Sequence, residues 1–195
     1  MAKTHSDASQ KERSRTIRWV VTVFLVTLVV SGMISLISDE VMASSGLLAA
    51  FAILLGIVFL GIIFDIIGMA VATASEKPFH SMAARKVPGA QEAIRLLRNA
   101  ERVSSICNDV VGDICGVVSG AASATIAARV LSRMTFSLPQ LVTLGMSALV
   151  AGLTVGGKAV GKTVAIRSCT EIVYLVGRIL AAFGRCKAGL HKKKR

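Results

Sequence analysis

Apolar residues in this chain form long runs that are separated by short polar segments. Three runs, Trp19–Ser38, Leu47–Ala74 and Pro139–Gly156, hold only one charged residue between them, Asp65. A fourth stretch, Val103–Leu131, is less apolar and is rich in small residues. Because about 20 apolar residues cross the hydrocarbon of a bilayer as a helix, the pattern predicts four transmembrane helices. We therefore expect an all-α integral membrane protein.

The basic residues lie between these runs. The sequence has 23 Lys and Arg against 11 Asp and Glu, a formal net charge of +12. Basic clusters precede the first run, separate the second from the third and follow the fourth, whereas the segment 39–46 has two acids and no base. By the positive-inside rule, this places both termini of a multi-pass cell-membrane protein in the cytoplasm. The clusters then face anionic lipid headgroups, and we expect no nucleic-acid partner.

Four segments follow from this organisation. Residues 1–16 form a basic cytoplasmic N-terminal tail, residues 17–46 an N-terminal span and outer loop, residues 47–186 the main transmembrane domain, and residues 187–195 a basic C-terminal tail. The main domain includes cytoplasmic juxtamembrane helices, because the segment 78–102 places apolar residues at helical spacing with arginines on the other faces. That pattern is typical of an amphipathic helix at a membrane surface, here broken at Pro88-Gly89.

Charged residues inside the predicted spans are the strongest functional signal. A charge in the bilayer interior costs about 2.5–3.5 kcal/mol on insertion scales, so such residues are usually paired or functional. Gly61, Asp65 and Gly68 share one helical face, which can pack on the glycines of the third span. Four charged residues in or near the spans carry this signal: Asp65, Asp109, Asp113 and Lys158.

Two arrangements of these charges remain open. In the first, Asp65, Asp109 and Asp113 converge and ligate a hard divalent cation such as Mg²⁺, with oxygens added by Asn108 or Ser119. In the second, the Lys158 ammonium takes the place of the cation in a structural ion-pair network. Either arrangement needs carboxylates from separate helices around one positive centre.

The segment Gly156–Thr163 matches the phosphate-binding pattern GxxxxGK[ST]. That motif needs a preceding strand, whereas an apolar span leads into it here, so we expect no nucleotide hydrolysis and no enzyme. One alternative is a glycine break at the end of the fourth span, in which Gly157 and Gly161 flank Lys158 and expose backbone carbonyls to an ion. The other is that Lys158 snorkels to the inner interface.

Four segments carry a family resemblance: Phe64–Val71, Gly89–Arg102, Asn108–Asp113 and Gly157–Thr163. In order and spacing they resemble motifs of the transmembrane domain of the cyclin M (CNNM)/CorB–CorC magnesium transporters. The second segment fits the juxtamembrane pattern G-A-x-x-A-x-x-L-L-x-x-x-E-R of that family. The resemblance implies Mg²⁺ transport, a homodimer and coupling to Na⁺, without the cytoplasmic CBS pair that binds nucleotide in the family.

The departures from the family pattern fall on its chemistry. The family serine, first-span glutamate, ion-contacting glutamate and proline are replaced, in that order, by Asp65, Gly68, Lys158 and Gly161. We therefore expect divalent cation transport through an intramembrane carboxylate site. The alternative is a non-transporting CNNM-like module in which Lys158 replaces the ion and the chain serves in assembly or regulation.

Overall fold

The computed structural model describes the backbone of residues 2–44, 46–133 and 139–192, and the side chains of 17–38, 40–41, 46–132 and 139–183. Every regular element in these ranges is a helix, which confirms the all-α prediction. The elements are α1 (Ala2–Ser44), α2 (Leu47–Thr73), α3 (Lys77–Ala84), α4 (Ala90–Arg98), α5 (Ala100–Ser105), a π-helical segment (Ile106–Gly112), α6 (Asp113–Arg133), α7 (Pro139–Arg167) and α8 (Cys169–Lys192).

Four stretches within the described residues are long and apolar enough to cross a membrane. They are Ile17–Ser38, Leu47–Thr73, Ala100–Ser132 and Pro139–Arg167, which confirms the predicted number of spans. Large apolar side chains on these helices, such as Phe24, Leu36 and Leu48, are more than half exposed. Such exposure is unfavourable in water and suits a hydrocarbon surrounding, as expected of a multi-pass membrane protein.

Helix α2 lies at the centre of the bundle and packs against both α6 and α7. Leu54 and Val58 of α2 are buried there against Ile126 of α6 and Val150 of α7. Helix α1 packs mainly on α6, where its Val23 and Val30 meet a buried apolar cluster. The bundle core is therefore three helices wide, with α1 at its periphery.

A second apolar cluster joins α3, α4 and α8 to the ends of α2 and α7. Phe79 is fully buried in it, together with Val71, Ala93 and Val173. The predicted break at Pro88-Gly89 is confirmed, because α4 begins at Ala90 and Gly89 has a φ of +90°. Two features require glycine at this position. Its positive φ is unfavourable for other residues, and a Cβ atom there would lie 2.7 Å from the backbone nitrogen of Arg178 in α8.

The prediction of a helix break at the end of the fourth span is wrong. Helix α7 continues through Gly156, Gly157 and Gly161 as far as Arg167, so Gly156–Thr163 does not form a phosphate-binding loop either. The glycines serve close packing instead: a Cβ atom on Gly161 would lie 2.8 Å from Cγ1 of Ile66, and one on Gly157 would clash with Ile62. Small residues allow helices to approach closely in this way.

The N-terminal tail is not separate from the first span, because α1 begins at Ala2 and is continuous to Ser44. The basic side chains predicted to mark the tails 1–16 and 187–195 lie outside the described residues. The junction between the predicted segments 17–46 and 47–186 coincides with the start of α2 at Leu47. The division into domains itself stays a prediction.

Candidate functional site

Asp65 and Lys158 meet inside the helical bundle, one from α2 and the other from α7. Asp65 is only 5% exposed, and Nζ of Lys158 lies 3.8 Å from its Oδ1. The Lys158 side chain is 24% exposed. At 3.8 Å the charges attract each other, but the distance is too long for a hydrogen bond. The pair is thus an ion pair in which neither partner is fully satisfied by the other.

Two buried oxygen atoms at this site accept no hydrogen bond from the described residues. They are Oδ2 of Asp65 and Oδ1 of Asn108. The amide nitrogen of Asn108 donates to Oγ of Ser104 at 3.3 Å, so the amide is held from its other end. A buried acceptor without a partner costs about 1–3 kcal/mol, and such atoms in a native protein call for an explanation.

The π-helical segment positions Gly112 beside the ion pair and Asn108 against the neighbouring turn of α2. A Cβ atom on Gly112 would lie 3.3 Å from Nζ of Lys158 and 3.8 Å from Oδ1 of Asp65, so this glycine forms a wall of the site. The Asn108 side chain packs directly on Gly68, one turn along α2 from Asp65. The turn of a π-helix is wider than that of an α-helix, and such segments are frequent at functional sites.

The predicted packing of α2 on the third span is therefore found, but only in part. Gly61 packs on Cys115, and Gly68 packs on Asn108. Within the Gly112–Gly116–Gly120 stripe, only Gly112 is closely packed. A Cβ atom built on Gly116 or Gly120 would have no other atom within 4 Å.

Asp109 and Asp113 do not join Asp65. Both are exposed, and Asp109 accepts a hydrogen bond from Oγ of Ser105 at 2.8 Å. Among the residues that the structure describes, no three His, Cys, Asp or Glu side chains come close enough together to hold a metal ion. The reason is helical geometry: the face that meets α2 carries Asn108 and Gly112, and each aspartate follows one position later. Their role as ligands stays a prediction.

The remaining predicted site residues lie near the ion pair without contacting it. Ser119 is 1% exposed, and its hydroxyl donates to the carbonyl of Gly116 at 2.9 Å, two turns along α6 from Gly112. Gly157 and Gly161 flank Lys158 on α7 and pack on isoleucines of α2. The sequence analysis did not identify Gly112 as a residue that lines the ion-pair site. Its position in the glycine stripe, one turn after Asn108, could have indicated this.

Replacing Gly68 with alanine is expected to displace the Asn108 side chain and to destabilise the protein by about 1–3 kcal/mol, the usual cost of overpacking. Gly56→Ala on the same helix is the matched control, because the space around Gly56 is open. Denaturant unfolding of both variants in detergent measures the difference. Equal stability of the two would mean that Asn108 does not pack on Gly68.

No protein-family model, curated protein or solved structure matches this chain. The chemistry of the site is therefore argued from its own residues. One carboxylate and one ammonium group lie together among apolar helices, and an amide side chain packs one turn further along α2. Such a set can bind a small cation when the ammonium moves away, or remain a permanent ion pair when it does not.

Proposed function

We propose that this protein carries a small divalent cation, Mg²⁺, across the cell membrane through the Asp65 site. The observation that supports this is the pair of buried acceptors, Oδ2 of Asp65 and Oδ1 of Asn108, that have no hydrogen-bond donor among the described residues. Mg²⁺ usually keeps several waters and binds through only one or two carboxylates. Asp65 and Asn108 therefore offer enough protein oxygen for a partly hydrated Mg²⁺ ion.

Lys158 is the tethered competitor of the ion in this proposal. Its ammonium neutralises Asp65 when no cation is bound; it lies 3.8 Å from Oδ1, and no hydrogen bond from the described residues holds it. The lysine stem is flexible, with four carbons between backbone and charge, so the ammonium can withdraw as the ion arrives. Alternating exposure of the site to the two sides of the membrane then moves the cation.

The proposal also includes a basic surface that faces the lipid headgroups and a second copy of the chain as partner. On α4, Ala93 and Leu97 are buried against other helices while Arg95 and Arg98 are exposed, which leaves a basic face for the anionic headgroups of the cytoplasmic leaflet. Asp113 is exposed on a span-forming helix, where contact with lipid is costly. A second copy of the chain covering that face would remove the cost, in keeping with the homodimer that the family resemblance implies.

The direct test is Mg²⁺ flux into proteoliposomes that contain a trapped Mg²⁺ indicator. We expect purified protein to raise the initial rate at least tenfold above that of protein-free vesicles, and the rate to saturate with Mg²⁺. Vesicles with and without a Na⁺ gradient test the coupling. Absence of both flux and saturable Mg²⁺ binding would contradict the proposal.

A second candidate is favoured by a different observation. Lys158 already lies beside Asp65, and no cluster of three acidic or other metal-binding side chains occurs in the described part of the chain. Under this candidate the protein is a non-transporting membrane module, and the Asp65–Lys158 pair fixes the register of α2 and α7. Wild-type protein would then show no saturable Mg²⁺ binding.

A further inference from the structure

Polar residues form a continuous stripe along α7 that ends at the ion pair. Successive members are separated by three, four, seven and four positions, so they share one face of the helix. The stripe starts near the first residue of α7, Pro139, and runs to Lys158 through a part of the helix that is otherwise apolar. Its members are Gln140, Thr143, Ser147, Thr154 and Lys158.

This stripe borders an open space between α6 and α7. A crevice of about 200 Å³ lies there, between hydroxyl-bearing residues of the two helices such as Ser123 and Ser147. A second hollow of about 430 Å³ adjoins Gln140 and shares Ser147 with the first. The crevice therefore has room for several water molecules.

The inner end of the crevice lies one helical turn from the residues of the Asp65–Lys158 site. Thr154 borders the crevice one helical turn before Lys158, and Gly116 borders it one turn after Gly112. Glycines at 116 and 120 leave that side of α6 open, since no atom lies within 4 Å of a Cβ atom built on either. The two hollows and the ion pair thus follow one another along α7.

Three of the four hydroxyl groups that line the crevice are oriented as acceptors. Ser119 donates to the carbonyl of Gly116 at 2.9 Å, and Ser123 donates to the carbonyl of Gly120 at 2.8 Å. Thr154 donates to the carbonyl of Val150 at 2.8 Å. Each of these three hydroxyls has one proton, which is used in its bond to a carbonyl, so only its lone pairs face the crevice. A lining of lone pairs favours cations and water over anions.

We propose that this crevice is a hydrated access route by which cations pass between the outer membrane face and the Asp65–Lys158 pair. The choice of cargo and the outer orientation rest on the proposed function. The existence of a water-filled, cation-selective route does not depend on whether Mg²⁺ is carried. A dry groove that merely packs against another helix is the opposing outcome of the test.

Cysteine accessibility tests the route. Single cysteines are placed at Ser147 and Thr154 in a variant whose four native cysteines are alanine, and Leu149→Cys and Leu153→Cys are the matched controls. These leucines are exposed on α7 at the same depth as the two test positions but do not border the crevice. A membrane-impermeant cationic thiosulfonate is added from outside to intact cells. Thiols react as thiolates, which form in water and not in lipid.

We expect Ser147→Cys and Thr154→Cys to react at least tenfold faster than the leucine controls, and faster with the cationic reagent than with an anionic one. Equal rates at all four positions, reaction only from the cytoplasmic side, or preference for the anionic reagent would overturn the route. If removal of Cys115 harms folding, that residue is retained, because it is buried against Gly61, and its own labelling is subtracted.

The outcome is separable from that of the flux assay. Fast labelling in a protein that gives no Mg²⁺ flux supports the route and shows that Mg²⁺ is not the transported ion. Flux in a protein whose crevice cysteines are unreactive overturns the route and leaves the proposed function intact.

Discussion

Replacing Asp65 with asparagine is expected to abolish saturable Mg²⁺ binding and to reduce Mg²⁺ flux to the level of protein-free vesicles. The change keeps the size of the side chain and removes its charge. Asp65 is the only carboxylate that the structure brings to Lys158 among the described residues, so no other acid is in place to replace it. Isothermal titration and the proteoliposome assay measure binding and flux on the same preparation.

Loss of stability has to be separated from loss of binding in this variant. Asp65→Asn leaves the Lys158 ammonium without its partner, and breaking a buried ion pair typically costs about 3–5 kcal/mol. The double variant Asp65→Asn/Lys158→Met removes both charges, so it is expected to regain most of that stability. It is still expected not to bind Mg²⁺. Recovery of binding in the double variant would contradict the role of Asp65.

Three further acids serve for comparison. Glu101→Gln is the matched control, since Glu101 is exposed on α5 and away from the ion pair. Asp109→Asn and Asp113→Asn test the sequence prediction that these residues are ligands. From their exposure we expect both to keep Mg²⁺ affinity within about threefold of wild type. A loss as large as that of Asp65→Asn would show that the three carboxylates converge when the ion binds.

The span pattern was predictable because hydrocarbon imposes it. A helix that crosses a bilayer must be apolar along its length, so the charge-free runs around Phe24, Leu54 and Leu149 identify their spans directly. The same rule makes a charge such as Asp65 conspicuous. The pairing of Asp65 with Lys158 was foreseen as one of two alternatives, because few charges lie at comparable depth and each needs a partner.

The local helix geometry was not predictable in the same way. Nothing in the residues Ile106–Gly112 indicates a π-helix, and nothing in them shows that Asn108 packs on Gly68 of another helix. The π-helical turn determines which positions meet α2, and it leaves Asp109 and Asp113 outside. The glycines of α7 were misinterpreted for a related reason. Gly161 lowers helix propensity, but its close contact with Ile66 stabilises the continuous helix.

Replacing Lys158 with methionine is expected to increase Mg²⁺ affinity at least tenfold. The substitution removes a competing positive charge 3.8 Å from Oδ1 of Asp65 and keeps an unbranched apolar stem of similar length. In the absence of Mg²⁺ the variant should be less stable than wild type by about 3–5 kcal/mol, because Asp65 is left uncompensated. Mg²⁺ at 100 times its dissociation constant should restore about 2.7 kcal/mol.

Lys162→Met is the matched control for this variant, because Lys162 is an exposed lysine one turn further along α7. It should alter neither Mg²⁺ affinity nor stability by more than experimental error. Weaker binding by Lys158→Met than by wild type would mean that the ammonium helps to hold the cargo. The tethered-competitor mechanism would then be wrong.

Lys158→Glu separates the two candidate functions. It places a second carboxylate where the ammonium was, so both candidates predict a site for a divalent cation in the variant. They differ in the wild type: a transporter binds Mg²⁺ saturably with Lys158 present, whereas a permanent Asp65–Lys158 pair gives no saturable binding until the lysine is changed. Because the ion and the ammonium compete for the same Asp65 charge, parallel titrations of the two proteins decide whether Lys158 regulates the site or closes it.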